Sequence, residues 1–174
     1  MSDTKNYQVL SGSALKVIAM VSMLIDHTAA YVLSRYQWAR TPFVVIGSHS
    51  LSVYRMMRIM GRIAFPIFCF LLVEGFIHTS NRIRYGRNLL IFALISEIPW
   101  NLVHADGFFY KGQNVFFTLF LGYAALCVIE KYKDCRKKQL IGLLIGLFIA
   151  ILLRADYGVS GYGFIIMLYA LKDS

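Results

Sequence analysis

Charge is what this chain has least of. Only 16% of its 174 residues are Asp, Glu, Lys or Arg, and nine of these are acidic, whereas about a quarter of a soluble domain is charged. A body wetted on every side is therefore excluded. Cysteine is as scarce: Cys69, Cys127 and Cys135 have neither Cys-x-x-Cys nor Cys-x-x-x-Cys spacing, so they indicate neither a disulfide framework nor a thiolate metal site. The chain holds three prolines, and their rarity leaves long stretches free to be helical. It has no Gly-x-Ser-x-Gly elbow and no His-Glu-x-x-His, so intramembrane serine or zinc proteolysis lacks a motif. Asp156-Tyr157-Gly158 and Gly161-Tyr162-Gly163 read as Gly-rich turns, because they lack the strand-to-helix setting of a nucleotide loop.

What is abundant is apolar. Hydrophobic residues make up 58% of the chain and the mean hydropathy is +0.60. The length leaves room for about six spans of ~20 residues, each satisfying its own backbone as a helix. The expectation is an all-α polytopic transmembrane helix bundle of about six membrane-spanning helices, one integral-membrane domain over 1–174. The formal net charge is +9, which in a soluble chain would suggest a nucleic-acid partner. Here Lys and Arg fall between apolar runs, as topology signals do, so no nucleic acid is expected; the partner is the lipid bilayer, with anionic lipid as a secondary contact.

Candidate spans run over 13–34, 56–79, 87–104, 115–130, 139–154 and 161–171. The first keeps an Asp-His interruption and lacks a small-residue cleavage site, so it reads as retained rather than as a signal peptide. Residues 35–55, with Pro42 and Gly47, form a loop or interfacial segment. Arg82, Arg84 and Arg87 in one connection, and Lys131, Lys133, Arg136, Lys137 and Lys138 in another, mark both as cytoplasmic. The protein is thus expected in the cell membrane, multi-pass, with cytoplasmic N- and C-termini and with 35–55 and 105–114 outside. Lys16, Glu74 and His78 then lie near the cytoplasmic side, whereas Asp26, His27, Arg62, Glu97, Asn101 and Asp156 lie at mid-membrane or further out. Gly142, Gly146 and Ala150 form a small-residue stripe suited to close helix packing.

The opening helix carries the chemistry. Eleven positions separate Lys16 from His27, which puts both side chains within about 20° of one helix face and roughly 16 Å apart along the axis. Ionisable groups in a lipid-buried helix are functional candidates by default. His27, a residue type whose unperturbed pKa lies near neutrality, is the natural general base, against the alternative of a histidine hydrogen-bonded within the bundle. Asp26 is ~100° away around the helix and a poor orienter of the His27 ring; Glu97 is the candidate for that role. Arg62, four residues before Pro66, is either an ion-pair partner of Asp26 or Glu97 or a contact for a bound donor. Glu74 and His78 are spaced i,i+4. No second copy of a carboxylate-histidine pair exists for a di-metal site, so they read as a helix-end polar pair facing a donor's entry. Arg82, Arg84 and Arg87 nearby are candidate phosphate contacts, and no metal is expected.

Three runs carry a family resemblance: LKVIAMVSMLIDH (15–27), MRIMGRIAFPIFCFLLVEGFIHTSNRIRYGRNLLIFALISEIPWNL (57–102) and ADYGVSGYGFIIMLY (155–169). They resemble the TraX family, known from a conjugation protein associated with N-acetylation of pilin, and the likeness covers most of the chain. It implies an integral-membrane acyltransferase that takes an acyl group, acetyl above all, from cytoplasmic acetyl-CoA as donor substrate. The acceptor would be an amine or hydroxyl of a pilin-like protein, a cell-envelope sugar or a small molecule. Acyltransferase-3 relatives carry Arg, ten residues, then His on the first helix. Lys16 and His27 match that spacing, with Lys in place of Arg, which keeps the charge and loses the bidentate fork. With the readings above, the candidate catalytic set is His27, Asp26 and Glu97, and the candidate donor contacts are Lys16, Arg62, Glu74 and His78. TraX proteins usually continue through further apolar segments, so part of the family's C-terminal bundle is expected to be missing here. A transporter or a non-enzymatic assembly factor is the alternative, since buried carboxylates and histidines also line proton and substrate paths.

Overall fold

The computed structural model describes residues 11–46, 49–104 and 110–172. Gly47 and the stretch 105–109 of the expected outer connection lie outside the described residues. Helix α1 spans Gly12–His27. Ser11 starts it by accepting the Ala14 N–H at 3.1 Å, an N-cap that satisfies one of the first turn's orphan donors. After His27 the chain turns π-helical over Thr28–Val32 and then 3-10 over Leu33–Arg35. Thr28 Oγ1 donates to the Leu24 carbonyl at 2.8 Å, a carbonyl the Thr28 N–H also uses. Such back-bonding loosens a regular α-turn and is the local cause of the widening.

The 35–55 connection is more ordered than a loop. It contains the short helix α2 (Gln37–Arg40) and an antiparallel pair, β1 (Val44–Ile46) with β2 (His49–Leu51), in the register Val44↔Leu51 and Val45↔Ser50. Helix α3 (Val53–Gly61) follows, capped by Ser52 Oγ on the Arg55 N–H at 3.2 Å. The expected span 56–79 is in fact two helices, because the chain breaks at Arg62–Ile63 before α4 (Ala64–His78). Pro66 is the reason: without an N–H it leaves the Arg62 carbonyl without its helical donor, and in the first turn of a new helix that loss is tolerated.

Helix α5 runs Arg82–His104, five residues earlier than the expected 87. Asn81 Oδ1 accepts the Arg84 N–H at 2.9 Å, an N-cap that makes the arginine-rich stretch the first two turns of the helix. Helix α6 spans Val115–Lys131, α7 Arg136–Leu153 and α8 Gly158–Ala170. The turn between α7 and α8 holds Arg154 and Tyr157 at φ 49° and 59°. The Asp156 N–H donates to the Gln113 carbonyl at 2.9 Å, and Thr118 donates to the Asp156 carbonyl, so this turn is tied to the start of α6.

The chain divides into two compact units, between Leu71 and Leu72 inside α4. In the first, α1 lies against α3, burying Ala19 and Gly61. In the second, α6 is central and α5, α7 and α8 pack on it. Its buried residues, among them Leu121, Gly122, Tyr123 and Leu126, occur all round the helix, as a surrounded helix requires. The small stripe of α7 does packing work: Gly142 lies against Val128 and Gly146 against the Tyr162 hydroxyl, which donates to the Leu143 carbonyl at 3.0 Å. The opposite face of α7 leaves Leu140, Leu144, Phe148 and Leu152 exposed.

Within the second unit the antiparallel order gathers the start of α5 and the ends of α6 and α8 at one end, where Arg82 lies 3.9 Å from Glu130. The basic segments that begin at Arg82 and Lys131 therefore start at the same end of this unit. Glu97, Asn101 and Asp156 fall toward the other. The all-α class holds apart from the hairpin. Among the described residues, two stretches are long and apolar enough to cross a membrane, Gly12–Arg35 and Val53–His78, while α8 is apolar but only 13 residues long.

Candidate functional site

In the first unit the singled-out residues part company on α1. Asp26 faces α3, where its Oδ2 pairs with Arg58 Nη1. A Cβ on Gly61 would stand 2.7 Å from the Asp26 Cα, so only glycine permits this approach. His27 is exposed on the adjoining face, its ring edge-on to Tyr31 with centroids 5.6 Å apart. Lys16 is exposed as well. Because Gly12–His27 is uninterrupted α-helix, Lys16 and His27 keep their common side, within about 20° and roughly 16 Å apart. The π-helical turn begins at the next residue, and such turns recur at functional sites.

The ion pair anticipated for Arg62 is made by Arg58, one turn earlier. Arg62 caps the C-terminus of α3 and is exposed at the break before α4. The sequence signal for Arg58 is its i,i+4 relation to Arg62, which puts both on one stripe.

Glu97 belongs to the second unit and has a local partner. Its Oε2 accepts both the backbone N–H of Asn114, at 3.3 Å, and the Asn114 Nδ2, at 2.6 Å. Asn114 is 3% exposed, also donates to the Ala93 carbonyl at 2.8 Å, and caps α6 by accepting the Phe116 N–H at 3.0 Å. A carboxylate beside a buried helix N-terminus is stabilised by the helix dipole. Glu97 thus anchors the start of α6. Nearby, Trp100 donates to the Gly112 carbonyl at 2.8 Å, and its ring meets that of His104 at 3.9 Å between centroids.

Among the described residues, two buried side-chain oxygens have no hydrogen-bond partner: Asp26 Oδ1 and Glu97 Oε1. Both belong to carboxylates the sequence singled out, and each is an acceptor facing no donor, a costly state for a buried group.

Glu74 and His78 do pair on α4, with His78 Nδ1 3.6 Å from Glu74 Oε2 and donating to the Glu74 carbonyl at 2.9 Å. At this end of the second unit Arg82 lies over the Phe76 ring at 4.5 Å, and Glu130 accepts from the Tyr169 hydroxyl. Among the described residues no three His, Cys, Asp or Glu side chains converge to hold a metal ion.

A family model described as TraX protein matches residues 11–174. The chain is also similar to a protein of Dichelobacter nodosus described as "Probable fimbrial assembly protein FimC, serogroup H1", at 36% identity over 126 residues, covering 68% of this chain and 46% of that protein. It therefore spans about half the length of the curated relative it matches. No solved structure matches the chain.

Proposed function

Because this chain belongs to the TraX family, we propose that it is a multi-pass membrane acyltransferase that moves an acetyl group from cytoplasmic acetyl-CoA to an amine or hydroxyl acceptor. The observation that carries the reading is the pairing on α1: Lys16 and His27 sit on one side of an unbroken helix, while Asp26, ~100° from His27 around the helix, is turned into α3. A separation of roughly 16 Å between a fixed cation and a base suits a long donor, with phosphates at one end and the thioester at the other. Lys16 holds a donor phosphate through a charge-assisted contact. His27 takes the proton from the acceptor as its nitrogen or oxygen bonds to the thioester carbonyl carbon. The carbon–sulfur bond then breaks, and the coenzyme A thiolate takes up the proton from His27.

In this reading the six helical stretches cross the membrane, both termini are cytoplasmic, and the basic ends of α5 and α7 face the donor's compartment. The description of the D. nodosus relative supports a pilin-like acceptor. It also supports a second reading, a membrane assembly factor that performs no chemistry.

The deciding experiment is acetyl transfer by the purified protein in detergent, supplied with acetyl-CoA and pilin or a small amine. Wild type should consume the thioester and label the acceptor, and His27→Ala should lower the rate by about 10²–10⁴-fold while retaining the folded state. A folded His27→Ala protein with normal turnover removes the base assignment. Loss of fimbriation without any thioester consumption favours the assembly reading.

A further inference from the structure

We propose that the basic end of the second unit binds an anionic phospholipid, with its acyl chain in a groove between α5 and α6 and its phosphate on Arg82. This goes beyond acyl transfer and does not depend on it. The groove has a volume of about 270 Å³ and is walled by Ile83 of α5 and Phe120, Ala124 and Cys127 of α6. Gly86 opens it: the glycine is buried, and a Cβ there would lie 3.0 Å from Tyr123 Cε1. The walls are apolar apart from Arg82 at the end of the helices.

Arg82 is held in place without being used up. Its guanidinium rests 4.5 Å above the Phe76 ring and 3.9 Å from Glu130 Oε2, and the Tyr123 hydroxyl donates to its backbone carbonyl at 2.7 Å. The side chain remains 45% exposed, and a guanidinium has five N–H donors. Lys131 stands one turn beyond Cys127 on the α6 wall. Lys133, Arg136, Lys137 and Lys138 follow in sequence, so cations outnumber the acids Glu130 and Asp134 along 130–138.

An apolar groove ending at Arg82 is complementary to an amphiphile with a negative head. A lone phosphate would leave the groove unfilled, and an acetyl group would fill little of it. A zwitterionic lipid would bring its own cation to Arg82. Anionic phospholipid matches both halves, and each Lys or Arg near such a surface contributes about 1 kcal/mol.

The test uses the full chain purified in detergent. Phosphatidylglycerol should raise its thermal midpoint and be retained in native mass spectra, while phosphatidylcholine should do neither. Arg82→Gln should weaken this binding about fivefold. Ala124→Phe should fill the groove and abolish the shift, and Lys111→Gln, at the other end, should keep it. In a protein whose Cys69 and Cys135 are replaced, phosphatidylglycerol should slow labelling of Cys127 by a small thiol reagent, a readout that does not depend on how well Ala124→Phe folds. Equal effects of phosphatidylcholine, wild-type response in both groove variants, or unchanged Cys127 labelling would each overturn the proposal. An equal shift with glycerol phosphate or coenzyme A would show a soluble-phosphate site in place of a lipid site.

Discussion

Asp26 and Gly61 meet without room for a side chain, the Asp26 Cα standing 2.7 Å from where a Gly61 Cβ would be. The contact brings α1 and α3 together at the level of the Asp26–Arg58 pair, one residue before His27. Gly61→Ala gains about 1 kcal/mol of helix propensity, but the clash is with backbone and cannot be relieved by a rotamer change. Overpacking of this kind costs typically 1–3 kcal/mol or more. Thermal unfolding in detergent should therefore show a lower midpoint for Gly61→Ala. Gly12→Ala, whose Cβ would meet nothing within 4 Å, should leave it unchanged or higher.

The Asp26–Arg58 pair is partly buried, with side chains 21% and 30% exposed. Removing one member strands the other, and the loss should exceed the net worth of the pair. Arg58→Met and Asp26→Asn should each destabilise the protein more than half as much as the double variant does. The double-mutant cycle, read from denaturant unfolding, should give a coupling of about 0.5–3 kcal/mol. Additive single effects would mean that the two side chains do not sense one another.

Lys16 separates a donor contact from a snorkelling lysine. Lys16→Ala should raise KM for acetyl-CoA with kcat less affected, and Lys16→Arg should retain most of the donor affinity. Unchanged KM in Lys16→Ala would leave Lys16 only its membrane-surface role.

Glu97 tests structure against chemistry. Glu97→Gln keeps an acceptor oxygen for the Asn114 donors, so the fold should survive with little change. Asn114→Ala removes the α6 cap and should cost about 0.5–2 kcal/mol. If Glu97 only anchors α6, Glu97→Gln should turn over acetyl-CoA within a few-fold of wild type. A loss as large as that of His27→Ala would restore Glu97 to the reacting centre.

The positions of the helices were legible because long apolar runs bounded by charge admit little else. The starts of α6 and α7 fell within three residues of expectation. The departures have local causes. Asn81 turned a basic connection into the first turns of α5, since a cap outweighs an arginine-rich composition. Pro66 split one expected span into α3 and α4. Val44 and Val45, too few to cross a bilayer, found a partner strand instead. In the site, the i,i+11 spacing of Lys16 and His27 was readable from period alone. The partners of Asp26 and Glu97 were not, because Arg58 and Asn114 reach them through tertiary contacts 32 and 17 residues distant in sequence.

The orientation of the chain decides whether Lys16 can reach a cytoplasmic donor. Ser80 precedes one basic segment and Asp134 lies within the other, and the 3.9 Å approach of Arg82 to Glu130 puts those segments at one end of the second unit. Single cysteines at these two positions, introduced after Cys69, Cys127 and Cys135 are replaced, should therefore behave alike. Short basic connections stay inside, so an impermeant thiol reagent should label both only after the membrane is opened. A cysteine at Thr41, exposed between α2 and the hairpin, should be labelled in intact cells. If Ser80→Cys and Asp134→Cys react in intact cells while Thr41→Cys is protected, α1 enters from the outer side. Lys16 would then be on the far side from acetyl-CoA, and the acyl-transfer reading would fail even with an essential His27.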